Sequence, residues 1–145
     1  MDRKFKILIV DDEKEILSTY KDFFTKRGFI VDTAHNGLEG LEKLQKDEFD
    51  VAIVDIKMPK MNGTEMIEEA IKKGIDTEMI ILTGHGGKDD AIRLINMGGV
   101  KAWFEKHNIK MNKLLDKVTE AIEVISLDEM RKILSSIPDV KLRKE

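Results

Sequence analysis

The run Val51-Ala52-Ile53-Val54 constrains the fold more than any other stretch: four apolar residues without a polar break, closed by Asp55. A strand with one wet face alternates polar and apolar residues. An unbroken run is buried on both faces, as strands are in a parallel sheet covered by helices. Parallel neighbours need long crossovers, so helices are expected between the strands. In open sheets of this kind ligands bind just outside the carboxyl ends of the strands. Asp55 stands at that end and is the first candidate for a reacting group.

The rest of the chain repeats the pattern. Phe5 to Val10 reads as a first buried strand, followed directly by Asp11, Asp12 and Glu13. From Glu13 to Arg27 the apolar residues Ile16, Leu17, Tyr20, Phe23 and Phe24 mark one helix face, and Gly28 stops it. Phe29 to Thr33 is a second strand. Asn36 caps a helix carrying Leu38, Leu41 and Leu44 inward. After Asp55 and a loop with Pro59 and Gly63, Thr64 opens a third helix with Met66, Ile67, Ala70 and Ile71 buried. Met79 to Leu82 is a fourth strand ending at Thr83, and Gly84-His85-Gly86-Gly87 is a loop. A fourth helix, about Asp89 to Met97, leads to a fifth strand, Val100 to Phe104, ending near Lys106; a last helix carries Met111, Leu114, Leu115, Val118, Ile122 and Ile125. Five strands alternating with five helices predict an α/β three-layer sandwich, with a flavodoxin-like parallel sheet of order 2-1-3-4-5. That order places the switch point between the first and third strands, and so sets Asp11 and Asp12 beside Asp55.

The 145 residues suit one domain with a core that needs no staples. The absence of cysteine excludes thiol catalysis and any need for an oxidising compartment. A net charge of −3 argues against direct nucleic-acid binding. The apolar run Ile7–Val10 is too short for a signal peptide or a membrane span, so a cytoplasmic protein is expected. Leu127, Met130, Ile133, Leu134 and Ile137 have helical spacing after Ser126, which could cap; a helix docked on its own domain is the expected form, and a partner-binding face the alternative. Residues 1–125 are thus one domain, and 126–145 a helical extension or the start of a linker.

Three carboxylates in one crevice repel by about 4 kcal/mol per pair at 4 Å and an effective dielectric near 20. Such a cluster holds a proton or binds a cation, and oxygen-only ligands favour Mg²⁺ or a similar hard ion. Mg²⁺ takes one or two carboxylates, waters and a phosphate oxygen. Thr83 offers a hydroxyl at the fourth strand end and Lys106 a charge after the fifth. A carboxylate can attack phosphorus to give an acyl phosphate, and positioning plus electrostatics suffice for that transfer.

The sequence resembles the receiver domain of bacterial two-component response regulators. It does so at Asp11-Asp12, at Asp55-Ile56-Lys57-Met58-Pro59-Lys60-Met61-Asn62-Gly63, at Thr83-Gly84 and at Lys106, over roughly residues 4 to 123. The resemblance implies that Asp55 accepts a phosphoryl group from a sensor histidine kinase or a phosphotransfer protein. It implies that Asp11, Asp12, Asp55 and the backbone carbonyl of Lys57 hold Mg²⁺. Thr83 and Lys106 would bind the phosphoryl oxygens, and Trp103 stands where the family has a Tyr or Phe that swings inward. Lys57 and His85 fall where family members tune acyl-phosphate hydrolysis. The output would be a switched face of the fourth helix, fifth strand and fifth helix, docking an unspecified protein target. Two departures stand out: Trp103 is bulkier than the usual ring, and His107 replaces the proline that usually follows the lysine in a cis bond. A cis bond without proline costs about 3–4 kcal/mol, so a trans bond is expected.

Two other functions fit less well. A haloacid-dehalogenase phosphatase needs a second Asp two residues after the nucleophile, where Lys57 stands. An FMN carrier needs a hydroxyl-rich loop after the first strand, where Asp11 and Asp12 would repel the phosphate.

Overall fold

The computed structural model describes residues 3–84 and 87–137. Ten elements alternate: β1 (Lys6–Val10), α1 (Lys14–Thr25), β2 (Ile30–Ala34), α2 (Gly37–Lys46), β3 (Val51–Asp55), α3 (Gly63–Lys72), β4 (Glu78–Thr83), α4 (Lys88–Asn96), β5 (Val100–Glu105) and α5 (Met111–Ser135). The five strands form one parallel sheet in the order β2-β1-β3-β4-β5. The order reverses between β1 and β3, where Val10 lies level with Val54.

Pleating divides each strand between two cores. Leu8, Val10, Ala52, Val54, Met79 and Ile81 pack under α2, α3 and α4. Ile7, Ile9, Val51, Ile53, Ile80 and Leu82 pack under α1 and α5 against Phe24, Leu114 and Val118. All five residues of β3 are buried, which accounts for its unbroken apolar run. Asp55 is carried to the carboxyl end of the central strand at 3% exposure because the strand that holds it has no wet face.

Local signals set most boundaries. Asn36 Oδ1 accepts from the Glu39 backbone N–H, and Asn62 Oδ1 does the same for Glu65. The third helix therefore begins at Gly63, one residue before the expected Thr64. Gly28 takes φ +91° after α1, a conformation that costs other residues about 1–2 kcal/mol. Gly63 is required by a close approach, since a Cβ there would sit 2.1 Å from the Asp55 carbonyl oxygen.

Three expectations fail. Leu38 and Ile71 are not core residues; each is more than a third exposed, at the margin of the side that α2 and α3 bury. Ser126 does not cap a new helix: α5 runs unbroken through it to Ser135. The stripe after Ser126 is not docked on its own domain, with Leu127, Met130, Ile133 and Ile137 exposed. The Lys106–His107 bond is trans, and no cis peptide occurs among the described residues. His85 and Gly86 of the glycine-rich loop, and Pro138 onward, lie outside the described residues.

Candidate functional site

The site lies where β1 and β3 end side by side. Asp11 follows β1 and is held in the sheet by its N–H to the Ala34 carbonyl, 3.1 Å away. Asp12 is the next residue and faces solvent. Asp55 closes β3. The three acids meet, each offering a carboxylate oxygen within 4.8 Å of the others. Lys106 arrives from the far end of β5, its backbone N–H bonded to the Thr83 carbonyl at 2.7 Å. Its ammonium lies 2.9 Å from Asp11 Oδ1 and 2.9 Å from Asp55 Oδ2.

One buried cation thus faces several acids, and the charges are unequally satisfied. Burial pushes the Asp11 carboxyl up to about 6, although the Glu13 N–H at 2.8 Å and Lys106 oppose the shift. Burial likewise raises Asp55, with Lys106 opposing and Asp12 adding to it. Burial works against the charge on Lys106, but its hydrogen bonds to Asp11 and Asp55 outweigh it and hold the ammonium more basic than usual. Lys106 is held by both buried acids, while each of them receives only a share of one lysine.

Asp11 Oδ2 is buried with no hydrogen-bond partner. An orphaned carboxylate oxygen in a dry site costs about 1–3 kcal/mol, more when charged. Beside two other carboxylates it is the donor set a hard divalent cation takes. The residues present therefore fit such an ion.

The other expected residues sit around this cluster. Thr83 is buried, but its hydroxyl donates to the Phe104 carbonyl at 3.4 Å and is not turned to the acids. Trp103 is half-buried against the core under α4 and shares a cleft of about 350 Å³ with Thr83, Lys88 and His107. Lys57 is exposed on the loop after β3.

Two residues near the cluster escaped the sequence reading. Glu13 places Oε1 3.1 Å from the Lys106 ammonium, a third acid on one lysine. Its adjacency to Asp11-Asp12 was the available signal, but nothing local tells which way an exposed glutamate turns. Tyr20, read only as core, has a buried hydroxyl without a partner; burial, then the charge of Asp11, pushes it up to about 12. No sequence pattern marks it.

Known proteins resemble this chain in sequence and in fold. The model of the response regulator receiver domain matches residues 7–119. This chain belongs to the response regulator receiver domain family. Phosphorylation-based signalling in two-component systems is the general function of that family. The receiver domain is 30% identical over 133 residues to response regulator SaeR of Staphylococcus aureus, covering 86% of this chain and 58% of that protein. It therefore spans little more than half the length of the curated relatives it matches. A receiver domain protein from Clostridium thermocellum superposes with a TM-score of 0.77 at 35% identity, over 85% of this chain and 98% of the other. Response regulator TrrA of Thermotoga maritima, solved in complex with Mg²⁺ and BeF, gives 0.70 at 31% identity, over 81% and 98%. Receivers in general interact with histidine kinases and downstream targets. No helix among the described residues is long and apolar enough to cross a membrane.

Proposed function

We propose that Asp55 is the phosphoacceptor of this receiver, taking a phosphoryl group from a phosphohistidine of a sensor kinase or phosphotransfer protein. The observation that carries this is the convergence on Asp55 of Asp11, Asp12 and the Lys106 ammonium at 2.9 Å. A carboxylate oxygen of Asp55 attacks phosphorus, the P–N bond of the donor breaks as the P–O bond forms, and the leaving imidazole keeps the bond's electrons and is protonated. Asp11, Asp12, Asp55 and the Lys57 carbonyl would hold Mg²⁺, which when bound supplies charge neutralisation between the acids and the incoming phosphoryl oxygens.

Each group of the chain has a definite task. Asp11, fixed by the Glu13 N–H, is a preorganised anchor. Lys106 holds Asp55 in its attacking orientation, then transfers its hydrogen bond to a phosphoryl oxygen once the Asp55 charge is masked by the ester-like bond. Thr83, at the end of the neighbouring strand, must give up its bond to the Phe104 carbonyl to reach the same oxygens. That rearrangement opens space beside Trp103 and changes the face of α4, β5 and α5. A full reversal from 1:99 to 99:1 needs about 5.5 kcal/mol of differential stabilisation. The chemistry acts only on the receiver's own acyl phosphate. Residues 1–125 form the switching unit and 126–145 its extension; the kinase, the protein target and a cytoplasmic setting belong to this same reading.

The test is acetyl phosphate with Mg²⁺, followed by intact mass and by fluorescence of the single tryptophan. One added phosphoryl group that is lost in Asp55→Asn is the expected result. An unmodified wild-type protein, or equal labelling of the variant, refutes the assignment.

A further inference from the structure

Three buried polar side-chain atoms among the described residues have no hydrogen-bond partner: Asp11 Oδ2, the Tyr20 hydroxyl and Thr64 Oγ1. Two of the three belong to one corner, where α1 leaves the acid cluster. Glu13, Leu17, Tyr20 and Phe24 follow at steps of four, three and four residues, so they share one side of α1 and its cap. Long side chains on a helix lean back toward its N-terminus, which directs the Tyr20 ring to the end that carries Asp11 and Glu13. The ring is 3% exposed and packs in the core under α1 and α5. After burial, the charges that act most on its hydroxyl are those of Asp11, Lys106 and Glu13, in that order. The body of the ring thus serves the core, and its hydroxyl stands in the surroundings of the site. A phenylalanine would fill nearly the same space without burying an unmatched donor, which carries a desolvation cost.

Resting on the reading of Asp11 as an ion ligand, we infer that Tyr20 is a positioning residue for the cation site: its hydroxyl is the donor for Asp11 Oδ2 and holds that carboxylate toward a bound divalent ion. Asp11 Oδ1 is already anchored, by the Glu13 N–H at 2.8 Å and by Lys106 at 2.9 Å. A carboxylate oxygen has two lone pairs, enough to accept from a hydroxyl and to ligate. Hydrogen bonds behind a ligating carboxylate fix its orientation, and losing one weakens metal binding by about 10- to 100-fold. The pair is open in the structure, so a small turn of Asp11 about its anchored oxygen closes it as the ion is taken up. Tyr20 acts only through Asp11.

Tyr20 is the chain's one tyrosine, so its ring signals are unambiguous. In the full chain, Tyr20→Phe should raise the Mg²⁺ dissociation constant about 10-fold by titration calorimetry. Its melting in chelator should stay unchanged or rise, because no bonded hydroxyl is lost. Phe24→Leu, one turn further along the same side, should melt lower yet bind Mg²⁺ within about 2-fold of wild type. The ¹³C-labelled ring resonances of Tyr20 should move during Mg²⁺ titration with the midpoint that calorimetry gives. Equal affinity of Tyr20→Phe and wild type, or ring resonances that ignore Mg²⁺, would overturn the role of the hydroxyl and leave the cation site standing. So would a Tyr20→Phe variant that loses melting temperature and affinity together, as a packing defect would. A wild type that binds no Mg²⁺ at millimolar concentrations would refute the cation site itself, and this role with it.

Discussion

Replacing Asp11 with Asn should make the ion-free protein more stable and, at the same time, deprive it of its response to Mg²⁺. Asp11 is fully buried, and its carboxyl is held at about 6 chiefly by burial, against 3.8 in the unfolded chain. A raised folded value means that the folded state prefers the protonated acid. The stability from that preference is complete below about pH 4 and is lost as pH rises through 6. At 1.36 kcal/mol per tenfold change in proton affinity, the ionised Asp11 costs the ion-free fold about 3 kcal/mol above pH 7. Asn removes that cost but also deprives Lys106 of one charge-assisted hydrogen bond, worth about 2 kcal/mol. The net gain should be about 1 kcal/mol at pH 7.5, or roughly 3 °C in melting temperature, and should disappear or reverse at pH 4.5. Asp55, raised in the same direction, should add to the wild type's decline as pH rises. The assay is thermal or urea unfolding in chelator from pH 4.5 to 8, with and without millimolar Mg²⁺. Magnesium should raise wild-type stability most above pH 6, where its ligands are ionised, and should do little for the variant. If Asp11→Asn is less stable than wild type in chelator at pH 7.5, the orphaned oxygen was not the burden assigned to it.

The same imbalance makes the lysine indispensable: Lys106→Met should destabilise the ion-free protein by about 3 kcal/mol, because two buried acids lose their cation. Added Mg²⁺ should restore part of that loss, and a cost below 1 kcal/mol on urea unfolding would contradict the pairing. Glu13→Gln should leave melting nearly unchanged, since its side chain is half exposed. Phosphorylation by acetyl phosphate should nonetheless become a few-fold faster, as Lys106 is freed from its third anchor; an unchanged rate would reduce Glu13 to a surface charge. Gly63→Ala should cost about 3 kcal/mol, because a Cβ 2.1 Å from the Asp55 carbonyl oxygen forces the loop before α3 away from β3. A chemical-denaturation midpoint equal to wild type would show that the loop has more room than this.

Much of the site was readable before any coordinates, because each of its residues stands at a strand end, and strand ends are local. Val51–Val54 announced a strand with two buried faces, and Asp55 came with it. Ile7–Val10 did the same for Asp11. The asparagine caps at 36 and 62 need only the residue and the next turn. Leu38 and Ile71 went wrong for a related reason: periodicity reports which residues share a helix side but not how wide a band its neighbours cover. In the outer half of α5 periodicity found the stripe and could not say that the domain lay against the opposite side.

By itself the sequence determined the alternation of elements, the sheet they build and the ends at which its acids gather, since these follow from runs and spacings within about a dozen residues. Only the tertiary structure decided that Lys106 divides its charge among Asp11, Asp55 and Glu13, that one oxygen of Asp11 is left without a partner, and that the apolar side of α5 past Ser126 looks outward. Those facts depend on distances of a few ångströms between groups as many as 95 residues apart, and electrostatic and burial energies are set by such distances rather than by position along the chain.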